Sequence, residues 1–216
     1  MIPVSAPPRV RDLLRSTPDG PVPIVHRGRD AVYVEIVGRC VGVVSSRATA
    51  VPCALRTGVP SLPDIGTARL HDGVLHLDDQ ALLVGRLVDV SVPRLPHARV
   101  AAPPPGEVAA MVGRGDGLTP YDDDVLCGWF AVHRAAGVGT PEVDAAVRAR
   151  LSRTTLLSAT LLDCAMHGEV IPEFAAWLAA PDDPDRTATL AAVGHTSGRG
   201  MLQGARFALH EMRGAA

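Results

Sequence analysis

The sequence contains neither lysine nor asparagine, so arginine supplies every permanently basic side chain. Without lysine the chain cannot form a Schiff base, use a lysine as a general base, or build the phosphate-binding loop of P-loop nucleoside triphosphatases. An anionic ligand would have to be held by arginine, by backbone N–H groups or by a metal ion.

Long apolar runs are also missing, since none approaches the ~20 residues that span a bilayer. The first residues lack the charged and apolar regions of a signal peptide. The 21 basic residues against 23 acidic ones give a net charge of −2, which provides no attraction to nucleic acid or anionic lipid. We therefore expect a cytoplasmic protein whose partners include neither nucleic acid nor membrane.

Cysteine is scarce, and its four copies form no C-x-x-C pair. A zinc cluster or a disulfide framework is therefore not expected. One of the thiols could be a nucleophile, but none has a local catalytic signature. We predict four small buried apolar side chains, at Cys40, Cys53, Cys127 and Cys164.

The first 100 residues predict a β-rich domain. A proline-rich, irregular lead-in of about 30 residues contains one short helix at 10–15. The runs 31–37 and 40–44 are rich in β-branched residues, and Gly38-Arg39 between them is typical of a two-residue hairpin turn.

A second hairpin is predicted at Asp72-Gly73, joining 68–71 to 74–77. A further strand at 81–92 contains Gly85, which is typical of a β-bulge. The N-terminal half is therefore predicted to be an antiparallel sheet with a sandwich or barrel-like arrangement.

Helical periodicity begins after the proline-rich stretch 101–106. Strands followed by helices indicate an α+β fold, with a β-rich domain at 1–100 and a helical domain at 101–216. Five helices are predicted, at residues 120–136, 153–166, 172–179, 184–194 and 201–212.

The first of three polar motifs is GRGDGLTPYDDDVLCG at 113–128, which places three glycines ahead of a helix. Thr119 is predicted to be the N-cap, with Pro120 as first helical residue and Asp122 as capping partner. Acidic residues in a first turn stabilise a helix by about 0.3–1 kcal/mol each, so this motif has a purely structural explanation.

Three aspartates nevertheless exceed what a cap needs, and successive helical residues point about 100° apart. With Asp122 assigned to the cap, Asp123 and Asp124 are candidates for a general base or for the ligand of a shared cation. The glycines and the helix N-terminus suit a phosphate or carboxylate. The residues predicted to bind this anion are Gly115, Gly117, Leu118 and Thr119.

The second motif, GHTSGRG at 194–200, lies between the fourth and fifth predicted helices. A helix corner with a glycine C-cap is the structural alternative. The combination of histidine, threonine, serine and arginine with three glycines favours a functional loop. His195 and Ser197 are predicted to be catalytic. The ligand would be bound by Gly194, Thr196, Gly198 and Arg199.

The third motif, SRTTLLS at 152–158, opens the second predicted helix. Under the structural alternative Ser152 or Thr154 is simply the N-cap. Thr154 and Ser158 share one helix face, with Thr155 beside them, so all three hydroxyls are candidates for contacting a ligand.

Taken in the order of the chain, the motifs resemble a bacterial domain-of-unknown-function family that includes the AllH-type subunit of oxamate carbamoyltransferase. The family pattern is roughly G-x-G-x-G-L-T-P-S-G-D-D-x-L-x-G, T-T-x-x-S-A-x-x-L-x-x-A-x-x-G and G-H-S-S-G-x-D-x-L-x-G. The chain reads GRGDGLTPYDDDVLCG, TTLLSATLLDCAMHG and GHTSGRGMLQG. Two departures from the pattern matter, because Tyr121-Asp122 replaces Ser-Gly and Gly200 replaces an aspartate.

The resemblance implies an enzyme or enzyme subunit of purine and allantoin catabolism that acts on a small anionic amide-like metabolite. In oxamate carbamoyltransferase, oxalurate and phosphate are exchanged for oxamate and carbamoyl phosphate. The implied partners are the small anionic substrate or phosphate and further enzyme subunits. No cofactor follows from the motifs, although a divalent cation such as Mg²⁺ could join an aspartate to the anion.

Two alternatives stay open. The chain could be a non-catalytic binding or scaffold subunit that needs a partner chain for activity. It could also be a family member repurposed for a biosynthetic pathway, which the two departures favour.

Overall fold

The computed structural model describes residues 1–95 and 101–214. The chain divides into two compact units, Met1–Val90 and Ser91–Ala216. The predicted boundary between residues 100 and 101 adjoins the stretch 96–100, which lies outside the described residues. The division into domains at 1–100 and 101–216 therefore stays a prediction.

The first unit is built on one nine-stranded sheet in the order β2-β7-β8-β9-β1-β6-β5-β4-β3, curled as a half-barrel. Neighbouring strands are antiparallel except for the parallel pairs β1/β9 and β5/β6. The predicted β-rich half followed by a helical half is confirmed. The strands are β1 Ile2–Ala6, β2 Gly20–Pro21, β3 Ile24–Arg27, β4 Ala31–Ile36, β5 Arg39–Val44, β6 Ala54–Thr57, β7 Ala68–His71, β8 Val74–Leu77 and β9 Gln80–Leu87.

The predicted irregular lead-in was wrong, because the first 30 residues contain β1, β2 and β3 besides the short helix. Strand β1 pairs with both β9 and β6 and so occupies the middle of the sheet. The five residues IPVSA give a weak strand signal because Pro3 removes one backbone donor. The short helix is confirmed as α1, Pro8–Ser16, which buries Val10 and Leu14.

The tight turns lie where the sequence predicts them, except that the first hairpin turn is displaced by one residue. The hairpin at Asp72-Gly73 is confirmed, with both residues at positive φ (49° and 71°). The first hairpin instead turns at Val37-Gly38, at φ of 50° and 70°. The β1/β9 register passes from Val84 to Arg86, which confirms the bulge at Gly85, although β9 ends at Leu87 rather than Val92.

The second unit is organised around one long buried helix. Every residue of α3 is buried except Tyr121 and Arg134, and α3 packs against both α5 and α8. The helices are α2 Val108–Met111, α3 Tyr121–Ala135, α4 Pro141–Arg148, the short 3-10 helix η1 Leu151–Arg153, α5 Leu156–Met166, α6 Pro172–Ala179, α7 Pro184–Ala191 and α8 Ser197–Gly214. Among the described residues, no helix combines the length and apolar character needed to cross a membrane.

Several helix boundaries differ from prediction. Helices α2 and α4 were missed, α5 begins later than predicted, and α7 ends at Ala191 rather than Gly194. Helix α8 begins at Ser197, so half of the predicted second loop forms its first turn. Gly198 and Gly200 concealed this turn, because each interior glycine costs about 1 kcal/mol of helix propensity.

Candidate functional site

Helices α3 and α8 approach each other closely because glycines line their contact. A Cβ added to Gly128 of α3 would lie 2.0 Å from the carbonyl oxygen of Met201. One added to Gly204 of α8 would lie 1.8 Å from that of Val125. No larger side chain fits at these positions without moving a backbone. This approach brings the first turns of the two helices together.

The three polar motifs meet at these first turns. The Thr119 and Ser197 hydroxyl oxygens are 2.9 Å apart, which links the first motif to the second. Thr155 Oγ1 donates to the Leu118 carbonyl at 2.5 Å, which links the third motif to the first. Segments separated by 78 and 37 residues in sequence are thus in direct contact.

The predicted cap of α3 was wrong. The N-cap is Pro120, with no side-chain hydrogen bond. Asp122 forms an ion pair with Nε of Arg114, and its backbone N–H donates to the Arg114 carbonyl at 3.1 Å. Proline has no side-chain acceptor, and Thr119 lies one residue too early, so its hydroxyl contacts Ser197 instead.

Asp123 was expected to be free and is fully engaged. Its side chain is buried, with 0 % exposure, and its Oδ1 accepts the N–H of Gly113 at 2.8 Å. Its Oδ2 accepts the hydroxyls of Thr154 and Ser158, at 2.5 and 2.7 Å. A buried carboxylate with three donors is stabilised in place. Asp123 therefore fastens the glycine loop to the start of α5.

Asp124, unlike Asp123, has a carboxyl oxygen without a hydrogen-bond partner among the described residues. This oxygen is the buried Oδ2, and the residue as a whole is 4 % exposed. Burial raises its pKa from 3.8 to about 7; the Ser197 and Thr119 hydroxyls oppose the shift, while the Asp123 charge adds to it. Near neutral pH this carboxyl can both hold and release a proton.

Gly200 of α8 packs directly against Asp124. A Cβ at this position would lie 2.8 Å from Cβ of Asp124 and 3.0 Å from the Tyr121 carbonyl oxygen. A side chain here would therefore press on the first turn of α3. Tyr121 itself points elsewhere, since its hydroxyl donates to Oε1 of Gln203 at 2.6 Å.

The predicted anion loop is exposed around Gly115, Gly117 and Leu118, and Leu118 is 45 % exposed. The first-turn N–H groups of Asp123 and Asp124 in α3 are not available to an anion, because both already donate to the Pro120 carbonyl. Among the described residues, the N–H groups of Gly115 and Gly117 show no such partner.

The remaining predicted residues of the second motif lie at the start of α8. His195 and Arg199 are exposed, Thr196 and Ser197 are half-buried, and Gly198 is buried. The Gly198 N–H donates to the Val193 carbonyl, and Gly194 has a positive φ of 60°. Thr155, predicted to contact a ligand, is the N-cap of α5, where its Oγ1 accepts the Ser158 N–H at 3.0 Å.

Cysteine does not contribute a thiolate to this site. All four cysteines are free and buried, as predicted. Burial raises the pKa of Cys127, one turn along α3, well above its usual value, and the charges of Asp124 and Asp123 add to the shift. The thiol therefore stays protonated near neutral pH.

Sequence reasoning missed two features of the site. The pairing of Arg114 with Asp122 depends on the fold of the glycine loop, and no local signal predicts it. The close helix approach had a signal, because the Gly200 and Gly204 spacing places two residues without side chains on one face of α8.

A group of side chains that could hold a metal ion lies outside the three polar motifs. Among the described residues, one group of three side chains could hold a metal ion, namely the exposed Asp19, His71 and Asp72 of the first unit. The Mg²⁺ considered for the aspartate motif stays a prediction.

Comparison with known proteins gives one match. Neither the curated proteins nor the solved structures contain a match to the chain. The model of one protein family matches residues 111–209, which span all three polar motifs. This segment is similar to the family described as oxamate carbamoyltransferase subunit AllH.

Proposed function

We propose that the helical unit binds a small anionic amide-like metabolite beside Asp124 and takes part in carbamoyl transfer of the oxamate carbamoyltransferase type. The observation that carries this proposal is the buried, unpartnered Oδ2 of Asp124, whose carboxyl has a pKa of about 7. A buried carboxyl oxygen without a hydrogen-bond partner is costly to keep, and a carboxyl whose pKa is shifted by burial is typical of acid–base sites.

The reaction needs one proton to move. An oxygen of monohydrogen phosphate forms a bond to the carbamoyl carbon of oxalurate, and the bond from that carbon to the oxamate nitrogen breaks. The phosphate proton must reach the departing nitrogen. A carboxyl with a pKa of about 7 accepts the proton as a base and returns it as an acid.

The neighbouring residues receive distinct roles in this proposal. The Ser197 and Thr119 hydroxyls flank Asp124 and would orient the carbamoyl group. His195 and Arg199, both exposed at the start of α8, would contact the anionic part of the substrate. Thr154 and Ser158 act through Asp123 to position the glycine loop, because both hydroxyl protons are donated to that carboxylate.

A non-catalytic subunit is the second candidate. Residues 111–209 match a family described as a subunit, which implies partner chains. The glycine loop and His195 are exposed, so a partner chain could complete the site. A role in a biosynthetic pathway is the third candidate, supported by the departures at Tyr121-Asp122 and Gly200.

The experiment measures carbamoyl phosphate formed from oxalurate and phosphate, by the chain alone and with the other purified subunits of an oxamate carbamoyltransferase. We expect Asp124→Asn to lower kcat by about 10²–10⁴-fold, as for loss of a general acid–base group. Asp182→Asn, an exposed change away from the motifs, is the matched control and should keep full activity.

Two outcomes would contradict the proposal. Full activity of the Asp124→Asn variant would show that this carboxyl moves no proton. Activity that requires this chain but is insensitive to both substitutions would establish the scaffold role instead.

A further inference from the structure

A hollow of about 280 Å³ lies in the β-rich unit, between the end of β3 and the segment 62–65. This volume matches a small metabolite rather than a large cofactor. Its floor includes the buried side chains of Val32, Leu62 and Ile65. Its charged walls are Arg27, Arg29 and Asp64.

The two guanidinium groups are held in place by neutral acceptors. Arg27 donates from Nε to the Ile65 carbonyl at 2.8 Å and from Nη2 to the Gly66 carbonyl at 3.1 Å. Arg29 donates from Nε to Oγ of Ser61 at 3.3 Å. An arginine side chain has five N–H groups, so Arg27 retains three uncommitted donors and Arg29 retains four.

The positive charge of the hollow is only partly compensated by nearby carboxylates. Among the described residues, neither Arg27 nor Arg29 has a carboxylate oxygen within ion-pair distance. Asp64 lines the hollow. The pKa of Asp78 is lowered mainly by hydrogen bonds from the backbone N–H groups of Thr67 and Gly66, and the charge of Arg27 adds to this effect. Two guanidinium groups against one lining carboxylate leave a net positive charge of one unit over an apolar floor.

We propose that this hollow is a binding site for a small carboxylate with an apolar body, separate from the Asp124 site. The carboxylate would take the free donors of Arg27 and Arg29, whose planar forks match its two oxygens. The apolar body would rest on Val32, Leu62 and Ile65. This site is independent of carbamoyl transfer and belongs to the other unit of the chain.

The test titrates the full chain, labelled at its methyl groups, with acetate, propionate, butyrate, butyramide and inorganic phosphate. We expect butyrate to shift the NMR signals of Val32, Leu62 and Ile65 in a saturable manner. Each methylene removed should weaken binding, by less than the roughly fourfold step that full apolar burial of a methylene would give. Butyramide, which lacks the charge, and phosphate, which lacks the apolar body, should bind at least tenfold more weakly.

Variants identify the donors. Arg27→Gln with Arg29→Gln should abolish the butyrate shifts, and Arg29→Gln alone should raise Kd at least fivefold. The single variant guards against misfolding, since Arg29 donates only to a side chain. Arg69→Gln, on the exposed face of β7, is the matched control and should leave Kd unchanged. Equal binding of butyramide or phosphate, or an unchanged Kd in Arg29→Gln, would overturn the proposal.

Discussion

Replacing Asp124 with asparagine should stabilise the helical unit increasingly as the pH rises. The carboxyl has a pKa of about 7 in the folded protein and about 3.9 in an unfolded chain. The folded state therefore holds the proton more tightly. Its stabilising contribution is fully present below about pH 4 and is lost as the pH rises through about 7.

The magnitude follows from the size of the shift. A difference of about three pKa units, at about 1.4 kcal/mol each, corresponds to about 4 kcal/mol. Asparagine carries no charge at any pH and avoids this loss. The stability of Asp124→Asn relative to wild type should thus rise by about 1.4 kcal/mol per pH unit between about pH 4 and pH 7, or about 3 kcal/mol from pH 5 to pH 7, and stay level above that. Differences in hydrogen bonding of the amide shift the whole curve without changing its slope.

The assay is urea unfolding followed by tryptophan fluorescence at several pH values. The chain has two tryptophans, Trp129 and Trp177, both fully buried in the helical unit, so the signal reports that unit. Asp122→Asn is the control, because it removes a carboxylate paired with Arg114 and should not stabilise at any pH. A stability difference between Asp124→Asn and wild type that is independent of pH would refute the reasoning.

Two further predictions use the same unfolding assay. Gly128→Ala should lower the free energy of unfolding by about 1–3 kcal/mol, because its Cβ would lie 2.0 Å from the Met201 carbonyl oxygen. Gly139→Ala is the control and should be nearly neutral, since its Cβ would meet open space. Equal effects of the two substitutions would contradict the close approach of α3 and α8. Asp123→Asn should cost about 2–4 kcal/mol, because in either orientation the amide nitrogen replaces an oxygen that accepts the Gly113 N–H or the two hydroxyl protons. An unchanged midpoint would show that this carboxylate does not fasten the glycine loop.

Elements determined by local chemistry were predicted from the sequence. The Asp72-Gly73 hairpin follows from two adjacent residues that tolerate positive φ. Helices α6 and α7 begin with proline at the first position, and Asp183 caps α7 by accepting the N–H groups of Asp185 and Arg186.

Elements that depend on partners distant in sequence were not predicted. Strand β1 is stabilised by pairing with β9, about 80 residues away, while its own five residues include a proline. The early start of α8 depends on packing against α3, which compensates for the low helix propensity of its glycines. Local propensity carries no information about either contact.

The contact between the polar motifs was predicted, and the hydrogen-bond partners of the individual aspartates were not. The motifs were expected to share one site, and the Thr119–Ser197 hydrogen bond joins two of them. The predicted capping role of Asp122 was wrong, because sequence spacing does not show that Arg114 reaches its carboxylate. The catalytic and binding roles stay predictions.

Three consecutive aspartates serve three purposes because a helix turns them toward three surroundings. Asp122 meets a guanidinium, and Asp123 meets an N–H and two hydroxyls, so both charges are compensated. Asp124 points toward α8, where two hydroxyls leave one of its oxygens without a partner. A neutral residue of the same size would make the fold more stable there above pH 7. Stability alone therefore explains the first two aspartates and does not explain the third, which is the reason we propose Asp124 as the group that transfers the proton.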